Sequence, residues 1–210
     1  MAVDAGADCV GVVVEYPVPV PWNLNREEAA ELLPLVPCFV SRAVVTGGPV
    51  EVVLSIAYRL RPHLVQLHTD NPVEETAGLA GELAGAGIGL IRALRIDVAS
   101  GSAIGETPDP LEAARALQDT GICGLVVDAR TDKLPAGTGQ TLDWALVRRI
   151  RDTVRVPVIL AGGLTPANVR EAISAVRPYA VDVITGVESA RRVKDPALVR
   201  EFVRRARCRL

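Results

Sequence analysis

Seven apolar runs recur along this chain, each followed by a segment with helical spacing, and that alternation restricts the fold more than any other property. The runs are Cys9 to Val14, Cys38 to Val45, His63 to Leu67, Ile88 to Ile96, Gly124 to Val127, Val156 to Leu160 and Tyr179 to Ile184. Most are continuously aliphatic, as expected of strands covered on both faces. The helices between them are read over Asn25 to Leu33, Val50 to Leu60, Pro72 to Ala84, Leu111 to Asp119 and Leu142 to Thr153. A further helix is opened by Thr165-Pro166, and a last one runs from Pro196 to Arg207. Strand and helix in strict turn require a parallel sheet with helical crossovers. The reading is an α/β fold, a TIM (βα)8-type barrel, as one domain over residues 1–210. Met1 to Asp8 reads as the last turn of a helix stopped at Gly6. A barrel of this kind closes with eight strands. The chain is therefore expected to enter the barrel one helix late, without the first strand and most of its helix.

Composition narrows the function classes. With 49% hydrophobic and only 3% aromatic residues, the chain has the aliphatic profile of a layered α/β domain. A net charge of −2 gives no field that would draw nucleic acid or a membrane surface. No apolar run reaches the roughly 18 residues needed to span a bilayer, so a cytoplasmic protein is expected. Cys9, Cys38, Cys123 and Cys208 form no CxxC pair and read as free thiols. With two histidines, His63 and His68, and no Cys/His cluster, a structural zinc is not expected, and the low aromatic content gives no hint of a stacked cofactor. The basic tail from Arg204 to Arg209 reads as a solvated helix face.

The stretch from Val156 to Ser189 carries the clearest functional signal. One strand breaks at Ala161-Gly162-Gly163 before Thr165-Pro166, and the next ends at Thr185-Gly186-Val187. Two glycine turns, each feeding a helical start after successive parallel strands, would converge backbone N–H groups on an anion. In a βα barrel the loops after the last two strands are the usual place for a phosphate. A small phosphorylated substrate is the expected partner.

Reactive residues in such barrels lie at the C-terminal ends of the strands. Asp128 ends an otherwise apolar strand, where desolvation could make its carboxyl a general acid. The alternative is a carboxylate that caps its own loop or pairs with Arg130. His68 could donate to a substrate oxygen or orient Asp128, or it could be a hydrogen-bonded structural histidine. Arg92 and Arg95 lie an odd number of residues apart, so they face opposite sides of one strand. Arg92 is placed among the substrate-binding candidates, with the choice between the two open. The loop Pro135 to Gln140, containing Gly137 and Gly139, reads as a lid.

Four segments resemble phosphoribosylanthranilate isomerase, its archaeal forms especially. They are Val65 to His68, Val126 to Trp144, Ala161 to Val169 (AGGLTPANV) and Val176 to Ser189 (VRPYAVDVITGVES). That resemblance implies a (βα)8 barrel of tryptophan biosynthesis. It implies an Amadori rearrangement of N-(5-phosphoribosyl)anthranilate to the 1-deoxyribulose isomer, without metal or organic cofactor. The family's acid falls on Asp128, which would protonate the furanose oxygen. Its phosphate-binding turns fall on Gly162-Gly163 and Thr185-Gly186-Val187, with Ile184-Thr185 where two serines are usual. Asp182 and Gly139 match motif positions and are expected to support substrate binding, as is His68.

Two positions depart from the pattern. The family's general base lies in a KxCG motif on the first strand, the element missing from this reading, and Cys9 falls at the wrong end of its strand to replace it. The arginine that holds the anthranilate end corresponds to Trp22, whose indole can stack but cannot pair with a carboxylate. Alternatives therefore stand beside the isomerase reading: other chemistry on a phosphorylated sugar, or a degenerate phosphate-binding barrel. The oligomeric state is left open.

Overall fold

The computed structural model describes residues 1–130 and 142–208. Its main sheet holds seven parallel strands in sequential order. They are β1 (Cys9–Val13), β2 (Ser41–Thr46), β3 (Leu64–Leu67), β4 (Gly89–Asp97), β5 (Gly124–Arg130), β6 (Val158–Leu160) and β7 (Ala180–Val181). The helices are α1 (Arg26–Leu32), α2 (Val50–Leu60), α3 (Val73–Gly85), α4 (Pro110–Gln118), α5 (Trp144–Thr153), α6 (Val169–Val176) and α7 (Pro196–Arg207). A short antiparallel hairpin, β8 (Glu188–Ala190) with β9 (Val193–Lys194), precedes α7.

Local chemistry explains most boundaries. Asn25 and Glu28 form a reciprocal capping box at α1, and Asp109, Asp143 and Asp195 cap α4, α5 and α7 through their carboxylates. Each such cap stabilises its helix by about 1 kcal/mol. At the start of the chain, Gly6 donates to Val3 O and Ala7 to Ala2 O, with Gly6 at φ +96°. This is a Schellman closure, the signature of a helix end, as expected from Gly6. Three strand boundaries differ from the sequence reading by three residues: β2 starts late, β7 ends early, and β5 runs past Val127 to Arg130, taking Asp128 into the sheet. Pro37 to Val40 stay outside β2, leaving Phe39 98% exposed. The Tyr179 to Ile184 run pairs only over β7, because Asp182 to Ile184 leave the sheet for a 3-10 turn at Thr185–Val187.

The register sorts every strand into two faces. Val65, Leu67, Leu90, Leu94, Leu125, Val127 and Leu160 point to the helices and build the main core with Leu79, Leu83, Val147 and Ile150. The opposite face is lined by smaller groups, Ala93, Val126 and Ala161 with Ile91 and Ile159. Among the described residues β1 and β7 pair with one neighbour each, so backbone hydrogen bonds do not close the sheet. The two edges nonetheless approach each other. Burial raises the Cys9 thiol to about 11, and the next contribution comes from Asp182 beyond the opposite edge. Near the chain ends, Arg207 of α7 donates to Gly6 O at 2.6 Å and pairs with Asp8 at 2.7 Å.

Candidate active site

The C-terminal ends of the strands gather a polar cluster above the small-residue interior. Asp128 is 7% exposed near the end of β5 and stands in register with Arg95 of β4. Its Oδ1 accepts from Ala129 N at 2.8 Å, the local cap that the sequence left as an alternative. Its Oδ2 lies 3.4 Å from His68 Nε2. The Gln66 amide nitrogen is 3.1 Å from His68 Nδ1. The other ring nitrogen, Nε2, is buried and faces Asp128 without making a hydrogen bond. The two readings of His68 thus meet in one residue: a ring fixed by Gln66 and directed at the acid.

Tyr16 completes the support of His68. Its hydroxyl donates to His68 O at 2.9 Å, and the two rings meet edge to face with centroids 6.1 Å apart. Burial raises the Tyr16 phenol, so it remains a donor. The loop that follows is tied back by Asn23, whose side chain bonds both Tyr16 N and Tyr16 O. Sequence reasoning did not single out Tyr16, and its partner is 52 residues away.

The arginine question is settled by register. Arg92 stands between Leu67 and Leu125, both in the helix-side core, and turns that way. Its guanidinium donates to Ala93 O at 2.6 Å and Asn71 O at 3.1 Å, and burial lowers it to about 10. Arg95 shares the inner face with Asp128 and is held in two-point contact by Asp70, with Nε to Oδ1 at 3.0 Å. The placement of Arg92 at the substrate is therefore corrected: Arg95 is the inward cation, and Arg92 pins the loop that carries Asp70.

The two glycine turns meet as expected. Gly162 and Gly163 take φ +81° and +66° in succession, conformations that L side chains rarely adopt. A Cβ on Gly162 would lie 3.0 Å from Asp128 Oδ1 and 2.8 Å from Ala129 N, so the turn is pressed against the acid. A Cβ on Gly186 would overlap the Leu164 carbonyl, so the second turn is pressed against the first. Asp128, the Gly162-Gly163 turn, Asp182 and the Thr185-Gly186 turn share the walls of one small cavity. Val187, by contrast, is buried beneath the turn.

The helical starts behind these turns differ from the reading. Thr165 is not a side-chain cap; Asn168 closes the turn, accepting from Thr165 N at 2.8 Å and donating to Gly163 O at 3.0 Å, and α6 begins after it. After Gly186 the chain makes the 3-10 turn and the β8–β9 hairpin rather than a helix. Lys194 Nζ holds this segment, donating to Ile184 O at 2.5 Å and Glu188 Oε1 at 2.9 Å. The two turns therefore meet without a pair of helix N-termini behind them, and Lys194 braces the second turn from outside the cavity.

Asp182 stands on the inner face of the segment after β7 and shares the cavity with Asp128. Burial raises its carboxyl, and the charge of Asp128 raises it further. Trp22 does not hang over an open mouth: its indole N–H donates to Glu188 Oε1 at 2.8 Å. Burial alone would raise the Glu188 carboxyl, but the bonds from Lys194 and Trp22 outweigh it and hold it low. Gly139 and the loop read as a lid lie outside the described residues. No group of three or more His, Cys, Asp or Glu side chains suited to a metal occurs among the described residues. Nor is any helix among them long and apolar enough to cross a membrane. A roomier cleft of about 360 Å³ lies where α2 and α3 end, between Tyr58–His63 and Ala86–Ile88. It is away from the strand ends that carry the polar cluster.

Known proteins are similar to this chain over most of its length. The model of the N-(5'-phosphoribosyl)anthranilate isomerase family matches residues 19–205. A protein of that name from Methanosarcina acetivorans is 36% identical, over 97% of this chain and 85% of its own length. The crystal structure of phosphoribosyl anthranilate isomerase from Thermotoga maritima is similar with a TM-score of 0.79 and 32% identity, over 98% of this chain and 90% of that one. A structure of the same enzyme in complex with reduced 1-(o-carboxyphenylamino)-1-deoxyribulose 5-phosphate has a TM-score of 0.75 and 30% identity, over 98% and 90%. The chain is an α/β protein of TIM-barrel type, and it belongs to the N-(5'-phosphoribosyl)anthranilate isomerase family.

Proposed function

We propose that this protein isomerises N-(5-phosphoribosyl)anthranilate to 1-(o-carboxyphenylamino)-1-deoxyribulose 5-phosphate, a cytoplasmic step of tryptophan biosynthesis. The observation that carries the reading is the contact between an acid and an anion site: Gly162 packs on the Asp128 carboxylate while its turn and Gly186 form the neighbouring wall. A substrate whose phosphate occupies the glycine turns presents its sugar ring to Asp128. Asp128 protonates the ring oxygen, the C1–O bond breaks, and an imine forms to the aryl nitrogen. A base takes the C2 proton, giving an enolamine, and returns it to C1 as the enol hydroxyl passes its proton to the Asp128 carboxylate, leaving the ketone and a re-protonated acid; the cysteine that the family resemblance implies as this base has no counterpart among the described residues. The sum is an isomerisation, with nothing oxidised or reduced overall. His68 stands beside the carboxyl, Nε2 lying 3.4 Å from Oδ2, and Arg95, oriented by Asp70, offers its guanidinium to the substrate's carboxylate.

Purified protein mixed with N-(5-phosphoribosyl)anthranilate should yield the deoxyribulose product by chromatography, and Asp128→Asn should abolish that yield. Turnover that survives Asp128→Asn, or a folded wild-type protein with none, would sink the reading.

A further inference from the structure

Arg95 and Asp128 are register partners on neighbouring strands and share the inner face. Neighbouring strands lie about 4.8 Å apart, which puts the carboxylate across the ladder within easy reach of an arginine. Here the two do not pair. Among the described residues the ion-pair partner of Arg95 is Asp70, from the loop after β3, in two-point contact through Nε and Nη2. Asp128 instead has Ala129 N on Oδ1 and His68 Nε2 at 3.4 Å from Oδ2. The loop holds Asp70 at this post from both sides. Thr69 Oγ1 accepts from Gly48 N at 3.1 Å, and a Cβ on Gly47 would collide with the Thr69 side chain. Asn71 donates to Gly48 O at 2.9 Å, and its own carbonyl accepts from Arg92 at 3.1 Å. Asp70 thus sits between two anchored neighbours, and its carboxylate is a fixed target for Arg95.

We infer that Asp70 diverts Arg95 from Asp128 and so leaves the acid of this site able to hold the proton it must give. The inference rests on the isomerase reading above and deepens it. An arginine beside a carboxylate favours the ionised form and lowers its pKa by about 1–3 units. An ionised Asp128 has no proton for the ring oxygen. Asp70 occupies Nε and Nη2 of Arg95 and leaves Nη1 outside that contact, so the cation stays on hand for the substrate's carboxylate without being spent on the acid. Besides Arg95, the titratable groups facing Asp128 are Tyr16 after β1, His68 after β3, Asp182 after β7 and Arg130, two residues along the same face of β5. From β6 it meets only Ala161 and Gly162. Of the cations, Arg95 is the one directly across the ladder. Asp70 is a positioning residue here, acting through Arg95.

The test compares Asp70→Asn, Asp70→Glu and the double variant Asp70→Asn/Arg95→Met with the wild-type chain. A crystal structure of substrate-free Asp70→Asn should show the Arg95 guanidinium on the Asp128 carboxylate. Arg95 left beside residue 70, or turned to solvent, would overturn the inference. In the isomerase assay, the alkaline limb of kcat/KM reports the free enzyme, and in Asp70→Asn it should move down by about 1–3 units. At neutral pH kcat/KM should then fall about tenfold for each unit of that move. Asp70→Glu, which keeps the charge, should retain the wild-type limb. In the double variant the cation is gone, and the limb should return to within about half a unit of the wild-type position. A limb that moves as far in the double variant as in Asp70→Asn would overturn the inference, because the effect would not pass through Arg95. Should Asp70→Asn not fold, the double variant still decides: a limb about one unit or more above the wild-type position would mean that Arg95 already acts on Asp128. A wild-type protein without turnover would instead sink the isomerase reading, while the Asp70→Asn structure still decides whether Arg95 is diverted.

Discussion

The indole N–H of Trp22 donates to Glu188 Oε1 at 2.8 Å, joining the loop after β1 to the hairpin that follows the second glycine turn. The same carboxylate takes Lys194, whose ammonium also holds Ile184 O behind that turn. The residue that the family resemblance sets at an arginine position is therefore tied to the hairpin behind the second glycine turn.

Replacing Trp22 by Phe keeps an aromatic ring and removes only the donor. We expect a loss of about 1 kcal/mol of stability, the typical net contribution of one hydrogen bond. KM for the phosphorylated substrate should rise more than kcat falls, because the shift is transmitted through Glu188 and Lys194 to the turn. Steady-state kinetics with thermal unfolding would check this, and a fall in kcat at unchanged KM would contradict it.

Arg95 and Arg92 should separate cleanly. Arg95→Ala removes the inward cation and should raise KM by about tenfold or more, in line with a lost charge-assisted bond, with a modest change in unfolding temperature. Arg92→Met should leave KM nearly unchanged and lower stability, since its donors to Ala93 O and Asn71 O are lost. The reverse pattern would mean that Arg92 is the residue at the substrate.

Gly186→Ala introduces a methyl group into the Leu164 carbonyl. Relief requires the two turns to part, at a cost of about 1–3 kcal/mol, typical of overpacking. Inorganic phosphate should raise the melting temperature of the wild-type protein and have little effect on this variant. An equal response in both would remove the turn from the anion site.

Glu188 gives a pH dependence of defined sign. Its folded carboxyl lies below the usual range, so the stabilisation it brings is fully present above the unfolded value and is lost as pH falls through the folded one. The gap in melting temperature between wild type and Glu188→Gln should be widest near neutral pH and shrink in acid. A gap that widens on acidification would contradict the assignment.

The sequence showed the fold to within a few residues at most boundaries, because aliphatic runs and Asn or Asp caps act locally. It also located Asp128 and both glycine turns, since a carboxyl closing an apolar strand and paired glycines are visible without coordinates. Sequence spacing could show that Arg92 and Arg95 oppose each other, but choosing between them required the register with Leu67 and Asp128. Tyr16, Gln66, Asp70 and Lys194 carried no signal of their own. Each matters through a partner brought close by the curl of the sheet or by a loop conformation. The second turn reads as a helix start because Thr-Gly after a strand has that chemistry, whereas the hairpin behind it is held by the distant Lys194.

Arg207 binds Gly6 O and Asp8 at the outset of the chain, while Trp22 and Glu188 are joined near the mouth. The belt of strands is thus buckled by side chains at two levels where no backbone ladder runs between β1 and β7. Side-chain fastenings of this kind break singly, whereas ladder bonds yield together. The molecule's softest line therefore runs lengthwise between those strands, and Asp182 lies beside it. Breathing along that line would admit water beside Asp182, so the buckles govern how dry that side of the cavity is kept.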